Sequence, residues 1–450
     1  MKDLTTGNEG RMILKFATPM LLGNLFQQLY NIADSIIVGQ VLGKEALAAV
    51  GSSFPIIFTL ISLVIGVASG GTIIIAQYFG ARNFEKIKSA IGTLYTFLFW
   101  ASLCISVLGI LSSGFIFRLI KLPEDILPQA KIYLNIYFAG MVGFFGFNST
   151  SAILRGLGDS KTPLYFLVIS TVTNIILDLL FIVVFKWGVA GAAIATVISQ
   201  GGVFIAAAIY LNRTHEIISI GFKDLKFDKE IFRNTLRIGL PTGIQHTVVS
   251  LGMTFIQGIV NTFGTNVIAG YSAAIRLDSL ATLPAMNFSM ALSTFVGQNI
   301  GAGKTNRVKK GFTSTLFMSS IVSVLVSIVV VFLGDYLITL FIQSSEREVI
   351  RIGHEYMVIV GSFYLIFSAM FTITGVLRGA GDTLIPMFIT LFSLWIIRIP
   401  VALFLSKELA EKGIWWAIPV SWGIGALFSY VYYKTGKWKN KSIVKFDMEL

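Results

Sequence analysis

The sequence predicts an all-α polytopic membrane protein made of twelve transmembrane helices in two parallel six-helix repeats. Three observations carry that expectation. Apolar residues make up 55% of the 450 positions and charged residues only 13%, against about 25% charged in an average globular chain. Apolar stretches of spanning length recur from end to end, which favours helices over a barrel. Two segments nearly repeat each other: LRGLGDSKTP from Leu154 to Pro163, and LRGAGDTLIP from Leu377 to Pro386.

In chain order the spans fall at about 12–38, 46–77, 88–117, 130–155, 162–185, 188–211, 232–262, 266–296, 309–333, 352–376, 384–405 and 413–433. Several exceed the roughly 20 residues that a bilayer requires, so tilt or extension beyond the membrane is expected. The first eleven residues are polar and the first apolar stretch has full spanning length, so no signal peptide is expected. The single cysteine, Cys104, excludes a disulfide framework within one chain, offers no metal cluster and is expected to pack inside. Basic residues gather in alternate loops: Arg82, Lys86 and Lys88; Arg155 and Lys161; Arg213, Lys223, Lys226 and Lys229; Lys304, Arg307, Lys309 and Lys310; and the tail from Lys434 to Lys445. This positive-inside pattern places both termini in the cytoplasm, in a multi-pass protein of the plasma (cell inner) membrane. The net charge of +12 therefore does not signal nucleic acid, for which no soluble basic face is available.

The repeat extends well beyond the LRG-x-GD segments. Arg155, Gly156, Gly158, Asp159 and Pro163 recur as Arg378, Gly379, Gly381, Asp382 and Pro386. Tyr133 pairs with Tyr356, Pro19 with Pro241, Gly43 with Gly264, and Gln77, Gly80 and Ala81 with Gln298, Gly301 and Ala302. Near-constant spacing over such distances marks a duplicated unit. Six spans per unit is an even number, so both halves enter the membrane the same way. The division is a lobe over 1–212, a cytoplasmic linker over 213–231, a second lobe over 232–434 and a basic tail over 435–450. The linker is either a solvated tether or a short amphipathic helix. Two such halves enclose a cavity able to open to either side, an architecture common to transporters, channels and flippases.

Polar residues interrupt this apolar pattern at a few places. Gln27, Tyr30, Asn31 and Asp34 stand at i, i+3, i+4 and i+7 on one helical face. A carboxylate in hydrocarbon costs at least about 2.5 kcal/mol, so this face is expected to line a wet cavity, hold an ion or staple two helices. Asn174 and Asp178, at i and i+4, share another face. With a rise of about 1.5 Å per residue, Asp34, Asp178 and Thr196 reach similar depths in the outer half. Two nearby carboxylates repel each other. They can share a proton or, with amide and hydroxyl oxygens, ligate a small hard cation, and the spacing does not separate proton from sodium. In the second half, Arg276 and Asp278 are two apart and do not face each other. Arg398 can pair with Asp278 as a charge staple or meet substrate, and His246 reads as a core residue. The 37 Phe and 12 Met offer adaptable apolar walls.

With these motifs the chain resembles the multidrug and toxic-compound extrusion (MATE) transporters. The resemblance rests on the two LRG-x-GD segments, on AQYFGARN from Ala76 and GQNIGAGK from Gly297, and on Pro19 and Pro241; it covers nearly the whole chain. It implies a V-shaped pair of lobes and secondary active antiport, in which cationic or amphipathic compounds leave in exchange for protons or sodium. It further implies an ion-coupling set at Asp34, Asn174, Asp178 and Thr196, which is a possible sodium site. Gln27, Tyr30 and Asn31 become polar cavity positions and Pro19 a hinge. Another branch of the family places its acids on the seventh and tenth helices. Here the seventh offers Gln245 and His246, and the tenth only Glu355 near its outer end. No cofactor beyond the coupling ion, no enzymatic activity and no nucleic-acid partner are expected; the partners are small molecules and lipid, around a monomer. The alternative is a lipid-linked precursor flippase of the same superfamily, which would need a cationic cavity, with Arg276 and Arg398 as its main candidates. An intramembrane enzyme is disfavoured, since neither HExxH nor GxSxG occurs.

Overall fold

The computed structural model describes residues 2–120, 122–214 and 226–444, so the middle of the linker and the end of the basic tail lie outside the described residues. Among the described residues the chain is helical throughout, with no strand. Hydrocarbon dictates this, because each buried N–H and C=O must find its partner within the segment.

The first half comprises α1 (Glu9–Leu42), α2 (Lys44–Gly80), α3 (Phe84–Leu119), α4 (Leu127–Ala139), α5 (Met141–Gly156), α6 (Lys161–Asp178) and α7 (Gly188–Thr214). The second comprises α8 (Lys229–Asn261), α9 (Thr265–Gly301), α10 (Thr305–Thr339), α11 (Arg347–Gly361), α12 (Tyr364–Gly379), α13 (Leu384–Leu391), α14 (Ile399–Leu409) and α15 (Glu411–Lys434). A π-helical segment, Leu179–Val184, continues α6, and another, Phe392–Arg398, joins α13 to α14. Among the described residues eight helices are long and apolar enough to cross a membrane, or ten if the bent pairs α4–α5 and α11–α12 each make one span. The polar-interrupted α1 and α8 are 34 and 33 residues long. With them, each expected span has a helix.

Two of the expected spans, at 130–155 and 352–376, are each made of two helices that meet at a bend. α4 meets α5 at 50° and α11 meets α12 at 49°, at equivalent points of the two repeats. Close helix packing accounts for the first. A Cβ on Gly140 would stand 2.3 Å from Val197, and one on Gly143 2.7 Å from the Gly201 Cα, so α5 begins pressed against α7. The paired Gly43 and Gly264 have φ of 87° and 92°, a backbone region that L side chains rarely adopt, and they turn the chain into α2 and α9. Asn83 caps α3 by accepting the Lys86 N–H at 3.0 Å. Asp159 caps α6 by accepting the Lys161 and Thr162 N–H groups at 3.0 and 3.1 Å. Asp382, its repeat partner, instead accepts the Tyr432 hydroxyl at 2.5 Å.

By packing, the chain forms two compact units. One is Met1–Lys2 with Thr18–Gly243; the other is Asp3–Ala17 with Ile244–Leu450. The boundary between these packing units crosses α1 and α8. In the first unit the start of α8 is tied down by Asp228, whose N–H donates to Thr93 Oγ1 at 3.0 Å and whose carboxylate meets Lys86 at 3.4 Å. Donation from the Ile231 N–H, then the charge of Lys86, hold the Asp228 carboxyl below the usual carboxylate range. Its contribution to stability is therefore present above the unfolded value and fades as pH falls through the folded one. Phe232 packs on Phe97 with ring centroids 4.8 Å apart. In the second unit the chain start is clasped by the GQNIGAGK segment. Leu4 N–H donates to Gln298 at 2.9 Å, Asn299 and Lys304 donate to the carbonyls of Leu4 and Thr5 at 3.1 and 3.0 Å, and Arg307 pairs with Glu9 at 3.1 Å. Exposed apolar side chains such as Leu111 and Phe115 on α3 and Phe317 and Phe332 on α10 suit a lipid face. Cys104, expected to pack inside, is also exposed on α3.

Glycine contacts between α2 and α8 set how closely these helices approach. A Cβ on Gly66 would lie 2.5 Å from the Gly243 nitrogen, whereas one on Gly258 meets nothing within 4 Å. Gly66→Ala should therefore destabilise the purified protein by about 1–3 kcal/mol through overpacking. Gly258→Ala should hold or raise stability by about 0.5–1 kcal/mol. Thermal unfolding of both variants checks this, and equal midpoints would remove the close-approach argument.

Candidate functional site

The clearest constellation of polar groups lies in the first lobe, where α1, α4, α6 and α7 meet. The carboxyls of Asp34 on α1 and Asp178 at the end of α6 are in hydrogen-bonding contact, and among the described residues no basic side chain interacts with either. Asn174, one turn below Asp178, donates to its Oδ2 at 2.8 Å and accepts the Thr196 N–H at 3.2 Å, with the amide assigned to suit these neighbours. The Thr196 hydroxyl donates to the Ala192 carbonyl at 3.1 Å, so the Tyr30 hydroxyl, 3.3 Å away, donates to it. One oxygen of each carboxyl, Asp34 Oδ1 and Asp178 Oδ1, is buried without a protein partner. The structure therefore brings Asp34, Asn174, Asp178, Thr196 and Tyr30 together.

It does not bring in the rest of the polar face of α1. Tyr30 and Asp34 turn toward the lobe, whereas Gln27 and Asn31 are exposed. A helical stripe of four residues spans too wide an arc for all four to meet one point. Tyr133 and Tyr137 of α4 lie close enough to Asp34 to interact with it electrostatically, their ring centroids 6.3 Å apart. The π-helical segment begins immediately after Asp178; such segments recur at functional sites because they reposition a side chain within an otherwise regular helix. A separate cavity of about 260 Å³, lined by residues such as Leu42, Gln129 and Trp187, shares no side chain with the carboxyl cluster.

The second lobe holds a differently balanced centre. Tyr364 donates to Asp278 Oδ1 at 2.8 Å, and the buried Arg398 donates through Nε to Ser421 at 2.9 Å. Asp278 and Arg398 influence each other electrostatically, but among the described residues they make no direct ion pair. Tyr271 stacks on Trp415 at 5.2 Å, and Tyr356 meets the same indole edge-on at 5.1 Å. Arg276 is exposed and lies 5.9 Å over the Phe341 ring. Glu355 pairs with Arg351 at 2.7 Å and Lys412 at 3.2 Å. Among the described residues no group of three or more His, Cys, Asp or Glu is arranged to hold a metal ion.

The duplicated spans, the paired motifs and this buried acid centre match known proteins. The sequence pattern of the MatE family matches residues 19–180 and 241–404, once in each half. The chain belongs to the MatE family. Its members are transporters and not enzymes. The chain is 35% identical over 438 residues to the probable multidrug resistance protein YpnP of Bacillus subtilis (strain 168), covering 97% of each. It is 29% identical over 441 residues to the probable multidrug resistance protein NorM of Thermotoga maritima, covering 96% of this chain and 94% of that one. A solved multidrug resistance MATE family transporter of the MOP superfamily, in an outward-facing conformation, superposes with a TM-score of 0.91 at 23% identity over 98% of each chain. The fold of this MatE chain is accordingly the two-lobe transporter fold.

Sequence reasoning missed three groups of this MatE chain. Tyr137 carried no signal beyond its place one turn after the duplicated Tyr133. His246, read as a core residue, is exposed. It neighbours Arg378, whose Nη2 donates to Gln245 at 2.7 Å. The local pattern could not show this, since Gln245 and Arg378 are 133 residues apart.

Asn174 is the group that orients Asp178. Asn174→Ala should leave a buried carboxyl oxygen of Asp178 without its donor, costing about 1–3 kcal/mol of stability. Asn174→Asp should cost at least as much, because it adds a third acid to the pair. Thermal unfolding of both variants, with yields from detergent, tests the assignment; wild-type midpoints in both would separate Asn174 from the cluster.

Proposed function

We propose that the protein is a secondary active antiporter that exports cationic or amphipathic organic compounds in exchange for protons or sodium ions. The coupling ion binds at Asp34, Asn174, Asp178 and Thr196, with Tyr30 beside them. One observation carries this reading. Two contacting carboxyls, each with an orphaned oxygen, have no basic neighbour among the described residues. Such a pair holds together only with a proton between the oxygens or a cation bound to them. The relatives' names, probable multidrug resistance proteins, support the class of compound exported.

The mechanism follows from where these groups sit. An ion arriving at the pair turns repulsion into attraction between α1 and α6. α1 contains Pro19, whose missing N–H and ring contact weaken the helix at that turn. Pulling Asp34 toward Asp178 therefore bends α1 at Pro19 more readily than it moves a regular helix. The ion drives transport because its affinity differs between the two helix conformations. Tyr30, donating to Thr196, keeps α1 in register with α7. In this reading the protein works as a monomer in the plasma membrane; the basic residues of alternate connections support placing both termini in the cytoplasm.

Two experiments test this reading. Asp34→Asn and Asp178→Asn each mimic a permanently neutralised acid. Each should abolish export driven by an imposed proton or sodium gradient in vesicles while folded yield stays near wild type. Coupling retained in both variants would place the ion elsewhere. For orientation, Lys441→Cys in a Cys104→Ser background should react with an impermeant thiol reagent only after cells are permeabilised. Labelling of intact cells would reverse the topology.

A further inference from the structure

The last turn of α12 carries Arg378, the arginine of the second LRG-x-GD segment, and the coupling chemistry of the first lobe makes no use of it. Its Nη2 donates to Gln245 Oε1 at 2.7 Å. Gln245 Nε2 in turn donates to Thr390 Oγ1 at 2.7 Å, which fixes the amide so that its oxygen faces the guanidinium. Arg378 Nε is buried and without a partner. Among the described residues no carboxylate pairs with Arg378. The titratable neighbour is His246, exposed and next to Gln245 on α8.

This is an uncompensated charge. Arginine stays protonated in proteins, so it cannot escape burial by losing its proton. A guanidinium at a helix C-terminus gains from the helix dipole, but that gain is a small part of the cost of an unpaired charge among packed helices. One hydrogen bond to a neutral amide does not supply the missing negative charge. The remaining N–H groups of the fork match the two oxygens of a planar or tetrahedral oxyanion. In the first lobe, where Arg155 is the counterpart, Gly23 stands at the position equivalent to Gln245.

We propose that Arg378, oriented by Gln245 and joined by His246, is an anion-binding site of the second lobe that takes a phosphate-type oxyanion. The anion is the phosphate of a lipid headgroup or of a phosphate-bearing solute; both present the same oxygens to the fork. Arg378 makes the bidentate contact, the second N–H of Gln245 and the imidazole of His246 add donors, and Thr390 holds Gln245 in place. The site goes beyond the coupling reading, because its occupancy needs no gradient and no acid of the first lobe.

The test uses the full-length protein in nanodiscs. One arm titrates inorganic phosphate and pyrophosphate by calorimetry in nanodiscs of phosphatidylcholine. The other counts phosphatidylglycerol retained in native mass spectrometry after reconstitution in mixed lipid. Wild type should bind in at least one arm, and the arm that responds identifies the source. Arg378→Gln should weaken that binding at least tenfold, and Arg378→Lys by less, since it keeps the charge and loses the fork. Gln245→Glu provides the control for folding: it supplies a counter-ion from the chain, so it should keep or raise the unfolding midpoint while abolishing anion binding. Wild-type protein that binds neither probe, or wild-type affinity in Arg378→Gln or Gln245→Glu, overturns the proposal. Because binding is read without a gradient, none of these outcomes bears on the role of Asp34 and Asp178.

Discussion

The contact between Asp34 and Asp178 is the constraint on which the first lobe depends. Two acids meet inside a helical bundle, and among the described residues no basic side chain interacts with them. Everything around them limits the damage from the chain's own resources. Asn174 gives Asp178 one donor, Thr196 anchors Asn174 and Tyr30, and three tyrosines surround the acids with polar edges rather than cations. A structural core would have replaced one acid or placed an arginine beside the pair, since an unpaired buried charge is among the costliest features a fold can carry. That neither happened is the physical reason to read the site as one whose charge is completed by something that comes and goes.

The second lobe shows the same scaffold with a different charge balance. Tyr133 and Tyr356, paired by the repeat, each sit beside the buried acid of their lobe. The helices that follow the two LRG-x-GD segments each carry a π-helical segment beside a charged side chain: one begins after Asp178, the other ends in Arg398. Yet Asp278 has Tyr364 as a donor and Arg398 as an electrostatic neighbour, so this acid is compensated within the chain. Duplication preserved the architecture of a polar centre, and later substitution divided its chemistry. The uncompensated pair of acids lies in the first lobe, and the acid of the second has a tyrosine donor and an arginine neighbour.

The legible part of this molecule is the part encoded locally. Twelve apolar stretches, the paired prolines and glycines, and the LRG-x-GD segments can be read because hydropathy and spacing are properties of neighbouring residues. Asn174 with Asp178 could be placed on one face for the same reason. The bends at Gly140 and at Ser362–Phe363 could not, since no proline marks them and the first depends on contact with Val197 of another helix. Nor could the sidedness of α1. A spacing of i, i+3, i+4 and i+7 defines a stripe but not which of its edges turns inward, and the structure turns in Tyr30 and Asp34 while leaving Gln27 and Asn31 exposed. The link from Arg378 to Gln245 crosses 133 residues, beyond any periodic pattern.

The packing units add one step to the role of the paired prolines. The division between the units crosses α1 between Ala17 and Thr18 and crosses α8 between Gly243 and Ile244. Pro19 and Pro241 each lie within a turn of those points, inside otherwise continuous helices. A continuous helix yields most readily where its hydrogen-bond ladder is interrupted. Proline lets it yield at one turn, because a backbone bond is already missing there and the ring disfavours a straight path. The start of α1 is clasped to the second unit by Gln298, Asn299 and Arg307, so it cannot follow freely. Asp34 stands fifteen residues beyond Pro19, a lever of about 22 Å at 1.5 Å per residue. In the proposed coupling, a pull where the acids meet would act at the far end of an arm whose base is held, with the turn at Pro19, already short of a backbone hydrogen bond, as the proposed point of bending.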